Sequence, residues 1–196
     1  AEWAGITPIV RPPINEAAAI LRYLDMGAQG VFVPNIQSKS DAEAAVRSAR
    51  FHPGGQRGLG PYGRWARLIP SGTRLPELVE QVNEEITVTL LIESVRGLNS
   101  LEEIASVEGV DEIDLGLADL SQSLGLPGEV EHARVQACVR DALPRIVKAG
   151  RVAGLGAATA EQARSLLDHG VRSILVGAHA LFLEAGRRFV EGTGVG

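Results

Sequence analysis

Thr87-Val88-Thr89-Leu90-Leu91-Ile92-Glu93 is a run of β-branched and aliphatic residues that ends on a carboxylate. A near-continuous apolar run of this length reads as a strand buried on both faces, the habit of parallel sheets covered by helices. Five more runs share that character: Ile6 to Val10, Gly30 to Pro34, Glu112 to Leu115, Val152 to Leu155 and Ser173 to Val176. Each leads into a stretch with helical spacing of apolar residues, so the chain reads as six β/α units and its class as α/β. No linker or shift of composition divides residues 1–196, which are therefore expected to form one domain.

Punctuation supports the helices. Asn15 is placed to cap the first, Gly27 and Gly150 to end others, and Thr159 to cap Ala160 to His169. The rhythm fails only over Phe51 to Thr73, rich in Gly and Arg and carrying Tyr62 and Trp65, and long irregular segments in compact domains are often functional. Six units suit either an open doubly wound sheet or an incomplete barrel, since a closed barrel needs eight. Both architectures put their chemistry at the carboxyl ends of strands.

Bulk properties narrow the partners. A net charge of −5 with no Lys/Arg run argues against a nucleic-acid groove or an anionic membrane surface, which need concentrated positive charge. No apolar stretch reaches the roughly 18 residues of a membrane span, and the N-terminus lacks the pattern of a signal peptide. Cys138 stands alone, which excludes a disulfide framework and fits a reducing cytoplasm. The chain opens on Ala1, almost directly before an apolar run, as expected of a fragment.

The strand ends deliver Arg11, Pro34 with Asn35, Glu93, Gly116 leading to Asp119, Gly156 and Gly177. If they share one rim, two carboxylates and a guanidinium converge, and hard oxygen donors favour Mg²⁺ or Mn²⁺. Taken singly, each has a plain alternative: Glu93 as a solvated strand end, Asp119 as the N-cap of Leu120 to Leu124, Arg11 as a salt-bridge partner. Lys39 and Lys148, the two lysines against seventeen arginines, both fall in or beside helices. A Schiff-base mechanism needs a lysine aimed into the site, so a metal is the expected electron sink. His52, His132 and His169 read as surface residues and His179 as a helix-start cap, with no metal-ligand spacing among them. The glycines at 54–60 and 154–156 match no phosphate fingerprint, although late loops of β/α barrels often hold phosphate.

With these residues in view, the chain resembles the HpcH/HpaI aldolases. The matching blocks are Ile9-Val10-Arg11-Pro12, Leu24-Asp25-Met26-Gly27-Ala28-Gln29, Val33-Pro34-Asn35, Gln56-Arg57-Gly58, Ile92-Glu93, and Gly109-Val110-Asp111 running on to Gly116-Leu117-Ala118-Asp119-Leu120-Ser121. The resemblance implies a TIM-type β/α barrel of the phosphoenolpyruvate/pyruvate kind, incomplete here with about six units. It implies a lyase that reversibly cleaves a 4-hydroxy-2-oxo acid to pyruvate and an aldehyde through a metal-bound pyruvate enolate. Glu93 and Asp119 would hold the cation, Mg²⁺ or Mn²⁺ with Co²⁺ and Zn²⁺ as other occupants. Leu117, Ala118 and Asp119 would receive the pyruvate carboxylate, Arg11 would stabilise the enolate oxygen, and Asp25 matches an acid that the family pairs with a histidine in proton transfer. Assembly into a homo-oligomer through the C-terminal helix, Leu181 to Glu191, is implied as well.

Departures from the family pattern are specific. Nothing here corresponds to the segment that bears the family's histidine, nor to the first two β/α units, and Leu91 and Leu117 stand where the family usually has Gln and Pro. A truncated natural homologue without catalysis, binding a small acid or a partner chain, is one rival; a citrate lyase β-like enzyme acting on acyl-CoA is another. Aldehyde specificity is expected from Phe51 to Thr73 and from the segment not seen.

Overall fold

A computed structural model describes residues 2–60, 63–66 and 72–194. Its strands follow the apolar runs closely: β1 (Ile9–Val10), β2 (Gly30–Val33), β3 (Thr87–Ile92), β4 (Glu112–Leu115), β5 (Val152–Gly156) and β6 (Ser173–Leu175). Only β1 is much shorter than expected; Pro8 has no N–H to give to a ladder, and Ile6 is exposed. The helices are α1 (Ala17–Asp25), α2 (Lys39–Ala49), α3 (Leu75–Glu85), α4 (Val95–Asn99), α5 (Leu101–Ala105), α6 (Leu117–Ser123), α7 (Ala133–Lys148), α8 (Ala160–Asp168) and α9 (Ala178–Gly192).

All strand pairings are parallel and the spatial order equals the chain order, β1 to β6. A doubly wound sheet reverses its order at a switch point; an unbroken order with right-handed crossovers puts every helix on one face and curls the sheet into part of a barrel. The open-sheet alternative is thereby excluded.

Alternation along the strands then separates two layers. Val31, Val33, Val88, Leu90, Ile92, Ile113, Leu115, Ala153 and Leu155 face the helices and join Ile20, Leu24, Ala45, Ile104, Val139 and Ile146 in one apolar core. Leu90 is fully buried, and truncating it to Ala would cost about 2–5 kcal/mol. Residues of the other parity, including Thr89, Leu91, Asp114 and Gly154, face the barrel lumen.

Local capping mostly matches the reading of the chain. Thr159 accepts from the Gln162 N–H at the start of α8, and Gly27 and Gly150 follow helix ends with φ of 102° and 75°. Asn15 does not cap: Glu16 holds that position, and the Asn15 amide donates to the Asp41 carbonyl instead, tying α1 to α2. His179 lies inside α9, whose N-cap is Gly177.

Burial is uneven across the sheet. Helices α8 and α9 contain no buried residue, and Leu175, Leu181, Phe182 and Phe189 are exposed at the β6 end.

Candidate active site

Because the strands are parallel, the residues that follow them collect at one rim, and Arg11, Asn35, Glu93 and the Gly116–Asp119 turn stand there together. Glu93 is at its centre, 8% exposed. Its Oε1 accepts from the Asn35 N–H at 2.9 Å, and its Oε2 lies 3.7 Å from the Arg11 guanidinium. Asn35 donates from a left-handed turn, φ 56°, a conformation Asn tolerates better than other L-residues. Its side-chain oxygen accepts from Gln37 Nε2 at 2.6 Å, which holds the turn.

The next turn needs a glycine. A Cβ on Gly116 would meet the Glu93 Cβ at 2.8 Å and Oε2 at 3.0 Å, so only Gly lets β4 pass so close to this carboxylate. Gly116 is also the N-cap of α6, which places Asp119 in the first turn of that helix. The N-cap reading of Asp119 is therefore corrected. A carboxylate at that position favours the helix dipole, while Leu117, Ala118 and Asp119 present first-turn N–H groups that helix geometry leaves without carbonyl partners.

Glu93 holds its proton more tightly than an ordinary Glu. Burial is the main cause; the charge of Asp119 and a hydrogen bond shared with its carboxyl act the same way, against the Asn35 N–H and Arg11. Two carboxyls thus face each other at the rim with one half-exposed guanidinium beside them. Among the described residues no cluster of three or more His, Cys, Asp or Glu stands here. The two carboxyls are hard oxygen donors, chemistry that suits a divalent cation such as Mg²⁺ or Mn²⁺.

Asp25 is not part of this rim. It ends α1, just before Gly30 opens β2, and so sits at the N-terminal ends of the strands, across the height of the barrel from Glu93. There Asp25 Oδ1 accepts from Arg57 at 2.9 Å, and the Arg57 side chain is fully enclosed. The guanidinium carbon is 4.5 Å from the Phe51 ring centre and 5.6 Å from that of Trp65, whose own centres are 5.0 Å apart. A cavity of about 160 Å³ opens beside it, lined in part by Gln29, Trp65 and Glu85.

The same contacts relocate the irregular segment. Among its described residues, Arg57 bonds Asp25 at the end of α1, the Gln56 N–H donates to the Arg47 carbonyl of α2, and Phe51 exchanges hydrogen bonds with Asn83 of α3. Within this chain these contacts hold Phe51, Arg57 and Trp65 at the Asp25 end of the barrel, away from Glu93. Tyr62 lies outside the described residues.

Other expectations resolve simply. Lys39 and Lys148 are exposed on helices, and His132 caps α7 by accepting from the Arg134 N–H. Gly154 is buried beneath two carboxylates, which is no place for a phosphate. Three residues were missed in the sequence: Asn35 as a hydrogen-bond donor, Arg57, and Asp114. For Asp114 a signal existed, since Glu112 and Asp114 two apart on a strand must share a face. Nothing local marks Arg57 as buried.

The HpcH/HpaI aldolase/citrate lyase family model matches residues 1–181. The 4-hydroxy-2-oxovalerate aldolase of Rhodococcus jostii is 37% identical over 170 residues, 86% of this chain and 63% of that protein. The hydroxypyruvate/pyruvate aldolase of Deinococcus radiodurans is 37% identical over 187 residues, 93% of this chain and 65% of its own length. The chain thus spans about two thirds of the length of these curated relatives. A solved HpcH/HpaI aldolase from Desulfitobacterium hafniense superimposes with a TM-score of 0.89 at 29% identity, covering 100% of this chain and 75% of that one. The partial barrel, the rim built on Glu93 and the matching model over nearly the whole sequence agree: this chain belongs to the HpcH/HpaI aldolase/citrate lyase family.

Proposed function

We propose that this chain carries the cation- and enolate-binding half of an aldolase site, for reversible cleavage of a 4-hydroxy-2-oxo acid to pyruvate and an aldehyde. The observation that carries the reading is the convergence of Glu93, Asp119 and Arg11 at one strand rim. Relatives at 33% to 37% identity bear the names of oxo-acid and pyruvate aldolases.

Glu93 and Asp119 would hold a divalent cation, Mg²⁺ or Mn²⁺, which would supply the Lewis acidity that a 2-oxo acid needs to lose a proton. The N–H groups of Leu117, Ala118 and Asp119 receive the substrate carboxylate. Arg11 stands beside Glu93 with its guanidinium half exposed, free to donate to the oxygen on which negative charge develops. Asn35 fixes the Glu93 carboxylate from the opposite side. Asp25, at the far end of the barrel, takes no part at its own rim; a proton-transfer role for it requires a second copy that brings the two ends together.

The apolar side chains left open on α9, Leu181, Phe182 and Phe189, fit assembly into a homo-oligomer. Among the described residues no helix is long and apolar enough to cross a membrane; the lone Cys138 supports the cytoplasm as the proposed compartment.

The test is pyruvate release from a 4-hydroxy-2-oxo acid before and after EDTA, with Mg²⁺ or Mn²⁺ added back, and in Glu93→Ala. Loss on chelation, recovery with metal and a fall of about 10³-fold in the variant are expected. Turnover that survives EDTA, or full activity in Glu93→Ala, overturns the mechanism.

A further inference from the structure

Below the rim the lumen face of the sheet carries a second acidic pair. On β3 the residues under Glu93 are Leu91 and then Thr89; on β4 those under Gly116 are Asp114 and then Glu112. Register pairs Leu91 with Asp114, Thr89 with Glu112, and Asp114 with Gly154 of β5. Thr89 is 1% exposed and Asp114 3%.

Both carboxylates reach over the same glycine. A Cβ on Gly154 would come within 2.5 Å of Asp114 Oδ2 and 2.7 Å of Glu112 Oε1, so the two oxygens border one space that exists because residue 154 has no side chain. Glu112 Oε2 accepts from the Thr89 hydroxyl at 3.4 Å. Asp114 Oδ2 is buried with no hydrogen-bond partner. Among the described hydrogen bonds and ion pairs, none brings a Lys, Arg or His to either carboxylate.

A buried acceptor without a donor is costly, and a second carboxylate beside it makes it more so. Burial and the charge of Glu112 push the Asp114 carboxyl up to about 7. What relieves the pair must be positive and small enough for the gap above Gly154. Two carboxylate oxygens and a hydroxyl are a hard donor set, the kind that takes Mg²⁺, Mn²⁺ or Ca²⁺. We propose that Thr89, Glu112 and Asp114 form a second divalent-cation site in the barrel lumen, separate from Glu93 and Asp119. At about 3.3 Å per residue Asp114 lies about 7 Å and Thr89 and Glu112 about 13 Å below the rim, so the site is centred about 10 Å from it. The proposal does not depend on the aldolase reading.

Mn²⁺ binding, counted by electron paramagnetic resonance, tests it. Wild-type protein is expected to bind two ions per chain, close enough at saturation to broaden each other's signals. Glu93→Gln with Asp119→Asn should keep one ion, held in the lumen. Glu112→Gln with Asp114→Asn should lose that ion, and so should Gly154→Ala, which fills the gap without changing charge or requiring a positive φ. Retention of two ions in either lumen variant, or no binding once the rim pair is replaced, overturns the proposal. Two bound ions per wild-type chain that leave the saturated spectrum unbroadened overturn it without any variant. A wild type that binds one ion, lost only in the lumen variants, upholds this site and counts against the rim reading instead.

Discussion

Arg11 at the strand rim is half exposed and stands 3.7 Å from Glu93, whereas Arg57 at the other end of the barrel is fully enclosed and bonds Asp25 at 2.9 Å. Each end pairs an arginine with an acid, but the surroundings differ. Arg57 lies against both the Phe51 and Trp65 rings, and Asp25 matches its charge. At the rim the half-exposed Arg11 guanidinium stands beside Glu93, which also shares its place with a second carboxyl, that of Asp119. A closed pair serves packing; an open and unbalanced one leaves room for a cation and a substrate.

The largest effect should separate the ends by stability. Asp25→Ala strands a buried guanidinium and is expected to cost about 3–5 kcal/mol in chemical denaturation. Arg57→Met should cost less, because Met fills the aromatic slot and Asp25 is partly solvated. Equal losses in the two variants would break the comparison.

At the rim the effect should fall on rate. Arg11→Lys removes the fork geometry and is expected to lower kcat by about 10²–10³-fold while stability stays within about 0.5 kcal/mol of wild type. A drop in stability as large as that of Asp25→Ala would make Arg11 a structural residue.

A third measurement probes the lumen between the ends. The folded chain raises Asp114 from its ordinary 3.8 to about 7, so between those values the native state binds more protons than the unfolded one. Stability in EDTA must then fall as pH rises from about 4 to about 7. Asp114→Asn removes this slope and is expected to stabilise the metal-free protein at pH 8 by about 2 kcal/mol. An unchanged pH profile in the variant would show that the carboxyl is not buried and unpaired as described.

The smallest effect concerns the support of Glu93. Asn35→Ala forces an unfavourable positive φ and should cost about 1 kcal/mol, whereas Asn35→Gly should be nearly neutral in thermal melts. The reverse order would mean that the amide side chain, through Gln37, matters more than the turn.

Much of this fold was legible as local pattern. Six apolar runs gave six strands within a residue or two at most ends, because a strand buried on both faces must be apolar along its length. Pro8 shortened the first for a reason visible in its own chemistry. Glu93 was legible too, since a carboxylate closing such a run can only emerge at the rim. Asp119 was identified at the right turn but in the wrong capping role: the helix begins at Leu117, and a one-turn shift lies beneath what local signals resolve.

Sequence by itself determined the class, the six strand segments and which residues stand at their carboxyl ends, because periodicity and strand ends are properties of neighbouring residues; the unbroken strand order that makes a partial barrel was decided by the tertiary structure. Tertiary structure decided which distant residues meet. It joined Asn35 to Glu93 across 58 positions, and it sent Asp25 to the far end of the barrel because α1 runs back along the sheet. It also buried Arg57 in an irregular loop and stacked Asp114 and Glu112 over a glycine contributed by the next strand. Contacts of that range depend on how the sheet curls and what each helix covers, and no window of adjacent residues contains that information.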